Sequence, residues 1–135
     1  MTPRDGDVID TLAVWHRLLT QRDASGLDAL LDDDVVFHSP VVFTSQVGKI
    51  VTTMYLTAAF HVFVNDSFRY VRQVVGVRDA VLEFVVVIDG VTVNGVDMMT
   101  WSAQGRITEF KVMLRPLKAV QLVHARMAAL LAVRR

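Results

Sequence analysis

The stretch "VTVNGVDMMTWSAQGRITEFKVMLRP", Val91–Pro116, decides how the rest of the chain is read. Val, Thr, Met, Trp and Phe dominate both of its halves, and Gln104–Gly105 offers a turn between them. Two long strands joined as a hairpin follow from that pattern, with Pro116 suited to open a helix. Asn94–Gly95 also resembles a turn, but it lies too close to Asp89–Gly90 for both to close hairpins, so it is read as a bulge. Upstream, "FRYVRQVV" alternates and "AVLEFVVVI" is almost continuously apolar. Asp89–Gly90 is the hairpin signal that joins the latter to Val91. About four antiparallel strands therefore run from Phe68 to Arg115.

Helices flank them. Val8, Ile9, Leu12, Trp15, Leu18 and Leu19 recur at helical spacing and predict a helix over residues 7–22. "SGLD" (Ser25–Asp28) is a capping-box pattern opening a short helix through Leu31. "DDD" (Asp32–Asp34) ends it, and a strand at 35–39 is bent by Pro40. One broad apolar face predicts a second long helix at 47–63, and residues 117–132 form a terminal helix. Helices first, then a run of strands, then a helix make a single α+β domain over residues 1–135. A curved, mostly antiparallel sheet wrapped over the N-terminal helices, with a C-terminal helix added, would leave a cone-shaped cavity between them.

Composition narrows function. The chain has 135 residues, 53% of them hydrophobic, enough for a core without staples. It has no cysteine, which excludes disulfide and thiolate chemistry. The four histidines lack the spacing of a zinc site, so neither metal nor cofactor is expected. Fourteen basic and fourteen acidic residues balance, which favours neither nucleic acid nor an anionic membrane as partner. No apolar run approaches the roughly 20 residues of a membrane span, and "MTPRDGDVID" carries no apolar leader core. The cytoplasm is the expected location.

One carboxylate stands apart. Eleven of the twelve aspartates fall near the N-terminus, at helix starts or in turns, whereas Asp97 lies mid-strand among apolar neighbours. Gly95, Asp97, Met99 and Trp101 share one face of that strand. Two readings stay open: an aspartate facing solvent or paired with a base, or a buried carboxyl with a raised pKa. Glu83 and Glu109 alternate away from the core faces of their strands and are expected outside.

Taken in order, "SGLDALLDDDVVFHSP", "GKIVTTMYLTAAF" and "DMMTWSAQGRITEFKVMLRP" resemble the nuclear transport factor 2-like superfamily, especially its ketosteroid isomerase and SnoaL-like members. The resemblance covers nearly the whole chain and implies a curved sheet around a conical pocket, often dimerised through the sheet. It also implies roles. Ketosteroid isomerases place an aspartate base just before the proline of the first strand, where this chain has Ser39. They place an oxyanion-donating tyrosine on the first helix, where it has Trp15. Their second, protonated aspartate matches Asp97, and Tyr55 falls where many members carry a pocket tyrosine. The expected pocket is therefore lined by Trp15, Ser39, Tyr55, Phe84, Val86, Asp97, Phe110 and Val112. Serine cannot abstract a proton from carbon without a base of its own. His38, next to Ser39 on a strand, faces the opposite way.

The first expectation is thus a homodimeric binding module for a small lipophilic molecule, without ketosteroid isomerase activity. The alternative is an isomerase, dehydratase or cyclase using Asp97 as acid or base with Tyr55, on a ketone or polyketide-like substrate. A dimer with a filled core and no ligand is the third.

Overall fold

A computed structural model of the chain describes residues 8–133. Its sheet has six strands: β1 (Leu31–His38), β2 (Gln46–Val47), β3 (Arg69–Val75), β4 (Asp79–Ile88), β5 (Val91–Trp101) and β6 (Ile107–Arg115). They lie in the order β2-β1-β6-β5-β4-β3. Only the β1–β6 pair is parallel; the other pairs are antiparallel. The sheet is curved and unclosed. Helices α1 (Thr11–Gln21), α2 (Leu27–Leu30) and α3 (Lys49–Phe63) precede the long strands, and α4 (Leu117–Val133) follows them. None of the described helices is long and apolar enough to cross a membrane.

The hairpins form where the turn chemistry places them. Asp89 and Gly90 both take positive φ, 50° and 77°, as a two-residue turn of this hand requires. At the β5–β6 turn Gly105 sits at φ 87°, and a Cβ there would lie 2.1 Å from the carbonyl oxygen of Ile9. That close approach docks the segment that leads into α1. Ile9 N–H donates to Gln104 O at 2.7 Å, and Thr11 Oγ1 donates to Gly105 O at 2.6 Å.

Several expected boundaries move, each for a local reason. The first helix begins at Thr11, because Asp10 caps it by accepting from Ala13 N–H and Ile9 is used to dock the turn; residue 7 lies outside the described residues. The capping box at Ser25 does not form. Asp23 instead caps a 3₁₀ turn, Ala24–Gly26, taking both the N–H and the hydroxyl of Ser25. Asp32–Asp34 belong to β1 rather than to a helix end.

Asn94–Gly95 is no bulge. The ladder runs through it unbroken, with Asn94 opposite Val85 and Gly95 opposite Phe84. The glycine is there for space: a Cβ on Gly95 would come within 2.4 Å of Phe84 Cζ and 2.8 Å of Leu114 Cδ2. Gly95→Ala should therefore cost about 1–3 kcal/mol by overpacking. Urea denaturation checks this, and an unchanged midpoint would show that the Phe84 ring can yield.

The concave face of the sheet carries the core. Trp15, Leu56, Phe60, Leu82 and Phe110 pack between it, α1 and α3. A second cluster, with Phe63, Phe84, Val86, Val93, Ala119 and Val123, lies under α4. Arg126 on α4 donates to Asp89 at 2.6 Å, tying the helix to the β4–β5 turn.

Candidate functional site

Asp97 occupies the middle of β5, between Leu82 on β4 and Val112 on β6. Its face is the concave one, so the carboxyl points into the core and the residue is only 7% exposed. The buried reading is the one the fold adopts. Tyr70 on β3 donates its hydroxyl to Asp97 Oδ2 at 2.6 Å, and Trp15 Nε1–H donates in turn to the Tyr70 oxygen at 2.9 Å. Among the described residues no other group bonds the carboxyl. Burial pushes the Asp97 pKa up to about 7, with the Tyr70 hydrogen bond acting in the opposite sense. Burial also pushes the Tyr70 phenol well above its ordinary value, and the Asp97 charge adds to that. Near neutrality the carboxyl is therefore divided between an acid that can donate a proton and an anion that can accept one.

Two hollows meet on this side of the sheet. An outer cavity of about 320 Å³ is walled by Phe37 and Ser39 at the end of β1, by Met54 and Tyr55 on α3, and by Val123 and Met127 on α4. An inner cleft of about 40 Å³ touches Trp15, Phe60, Phe84, Asp97 and Phe110. It has room for a water molecule or the polar end of a ligand, not for a whole ligand. Ala59, Phe63 and Val112 line both, so the two adjoin there.

The eight expected lining residues are thus divided. Trp15, Phe84, Asp97 and Phe110 surround the inner cleft, Ser39 and Tyr55 face the outer cavity, and Val112 touches both. Val86 lines neither; it is fully buried beneath α4. Ser39 Oγ accepts from the N–H groups of Val41 (3.1 Å) and Val42 (3.4 Å), which closes the turn after Pro40 and leaves its own proton for a ligand. Tyr55 stacks on Phe37, with centroids 5.4 Å apart, and is not the partner of Asp97. That partner is Tyr70. The alternation of "FRYVRQVV" puts Phe68 and Tyr70 on one face, but the pairing that brings Tyr70 to Asp97 passes a register shift between Tyr70 and Arg72 that local pattern does not reveal.

Residues 12–110 match the family of SnoaL-like domains. Among solved structures, the chain is 37% identical to a steroid delta-isomerase from Pseudomonas aeruginosa, covering 99% of this chain and 98% of that one at a TM-score of 0.88. An uncharacterised protein with a cystatin-like fold from Silicibacter pomeroyi is 31% identical, with 89% and 84% covered and a TM-score of 0.81. An NTF2-like protein of unknown function from Mesorhizobium loti shares the fold at 19% identity, with 78% and 91% covered and a TM-score of 0.67. No curated protein matches the sequence.

Proposed function

For a chain that belongs to the SnoaL-like domain family, we propose the binding of a small lipophilic molecule whose carbonyl or hydroxyl group reaches Asp97. One observation carries this reading. A buried carboxyl, held by Tyr70, lines an inner cleft that adjoins a cavity of about 320 Å³ at Ala59, Phe63 and Val112. The cavity receives the apolar body of the ligand, the protonated Asp97 donates to its polar end, and Ser39 and Tyr55 offer further hydroxyls.

The second reading is catalytic, an isomerase-type enzyme with Asp97 as acid. It is favoured by the 37% identity to a protein described as a steroid delta-isomerase. Against it stands Ser39 at the position of the family's base, and Trp15 spends its N–H on Tyr70 rather than on a ligand. Binding therefore ranks first.

Calorimetry with a fused-ring enone and its hydrocarbon analogue tests the proposal. The enone should bind more tightly than the hydrocarbon at pH 6, by about tenfold for one hydrogen bond to a buried acid. That preference should shrink at pH 9, where Asp97 is ionised. Equal affinities at pH 6, or a preference that ignores pH, would remove Asp97 from the site.

The proposal includes a homodimer formed through the outer face of β3 and β4. Val74 and Val81 are register partners there and both exposed, with Val87 further along β4. Such a cluster is more apolar surface than a small monomer usually leaves in water. Light scattering at micromolar concentration should give twice the chain mass of 15.1 kDa; a value near 15.1 kDa excludes the dimer.

A further inference from the structure

The histidine of "VVFHSPVVF" takes no part in the cavity. Val35 and Phe37 face the core, so alternation along β1 brings Val36 and His38 out on the convex face. There His38 Nε2 lies 2.9 Å from Glu109 Oε2, and His38 Nδ1 lies 3.0 Å from Ser45 Oγ. A hydroxyl, an imidazole and a carboxylate from three places in the fold thus stand in series: the residue before β2, the end of β1, and β6. In the neutral imidazole the order of the groups sets the tautomer. An ionised carboxylate only accepts, so Nε2 carries the ring proton toward Glu109, and the lone pair on Nδ1 is left for the Ser45 hydroxyl. The same three groups activate a serine nucleophile in hydrolytic triads, there with Nε2 toward the hydroxyl and Nδ1 toward the carboxylate; here the ring is turned, with Nδ1 toward Ser45 and Nε2 toward Glu109, and the roles of base and orienting acid are kept.

We infer that Ser45, His38 and Glu109 form a hydrolytic site, separate from the cavity, for small esters with an apolar acyl group. Val36 and Val47 are register partners on the same face, Val47 being 70% exposed, and give the acyl chain an apolar rest. Lys111, the register partner of His38 on β6, puts a cation on the same face of the sheet. Ser45 Oγ bonds to the carbonyl carbon as its proton passes to Nδ1. The tetrahedral adduct collapses, the bond to the alcohol oxygen breaks, and the imidazolium returns the proton to that oxygen. Water then attacks the acyl-serine, again losing a proton to His38, which passes it back to Ser45 Oγ as the carboxylic acid leaves. Ester and water become acid and alcohol with no other reactant. Ser45 and His38 are the catalytic residues; Glu109 is a positioning residue that holds the tautomer.

Diisopropyl fluorophosphate and p-nitrophenyl butyrate, used on the full chain, test this. Intact-mass and peptide analysis should place one phosphoryl adduct on Ser45, with none at that site in Ser45→Ala. His38→Gln should slow labelling and nitrophenol release by about 10²-fold or more, as loss of a general base does. Long-range ¹H–¹⁵N spectra should show the His38 proton on Nε2 in the unmodified protein and a mixture of tautomers in Glu109→Gln, a readout that a purely structural role for Glu109 would leave unmoved. An adduct that is absent or falls elsewhere, labelling as fast in His38→Gln as in the parent, or a His38 proton on Nδ1 would each overturn the inference.

Discussion

Asp97→Asn is expected to make the protein more stable at pH 8, by roughly 4 kcal/mol. The ordinary value of the carboxyl is 3.8 and burial raises it to about 7. At about 1.4 kcal/mol for each pKa unit, ionising Asp97 inside the fold costs roughly that much more than ionising it in the unfolded chain. The sign follows from the direction. A folded-state value above the unfolded one gives stability that is fully present below about pH 3.8 and is lost as pH rises through about 7. An asparagine keeps an oxygen to accept from Tyr70 and never ionises, so it escapes that loss. The difference between parent and variant in urea midpoint, followed from pH 4 to pH 9, isolates this group from every other titrating residue. The two should be close at the acid end, diverge from about pH 4 and run parallel again above about pH 7. Parallel curves across the range would mean that Asp97 reaches water.

The second large effect concerns chemistry. Ser39→Asp should raise turnover of a β,γ-unsaturated cyclic ketone by about 10²–10⁴-fold over the parent chain, the usual contribution of a positioned general base. Ser39 faces the outer cavity, and aspartate can take over the two backbone N–H groups that Ser39 Oγ now accepts, so the turn should survive. The second carboxylate oxygen then faces the cavity as the base, with Asp97 as the acid that polarises the carbonyl. Adding Asp97→Asn to Ser39→Asp should remove most of the gain. The absorbance of the conjugated product reports all of these. A parent chain that already turns the ketone over, and loses that activity in Asp97→Asn, would place the catalytic reading first. A folded Ser39→Asp protein with no turnover would mean that ketone and Asp97 do not meet where the two hollows adjoin, at Ala59, Phe63 and Val112.

Some of this was legible in the sequence because it depends on local pattern. Alternation gave the strands and their faces, Asp89–Gly90 gave its turn, and the isolation of Asp97 in an apolar strand marked it as unusual. What stayed hidden depends on pairing between distant segments. The parallel contact of β1 with β6 joins Phe37 to Phe110 across more than half the chain, and no local signal announces it. The same holds for Tyr70: its inward face is readable, yet only the shifted β3–β4 register brings its hydroxyl to Asp97 and makes Trp15 a donor to that hydroxyl. Gly95 looked like punctuation because glycine often is; here it makes room for an aromatic ring on the neighbouring strand. Val86 was expected on the cavity wall because it shares a face with Phe84, but α4 covers that end of the sheet.

The claim on which the rest depends is that Asp97 is an acid kept protonated toward neutral pH beside a lipophilic cavity. Carbon-detected NMR of a protein labelled at its aspartate carboxyl carbons, with Asp97→Asn to assign the resonance, measures it directly. The account predicts a titration midpoint near 7 for Asp97. A midpoint at or below 3.8 would contradict it.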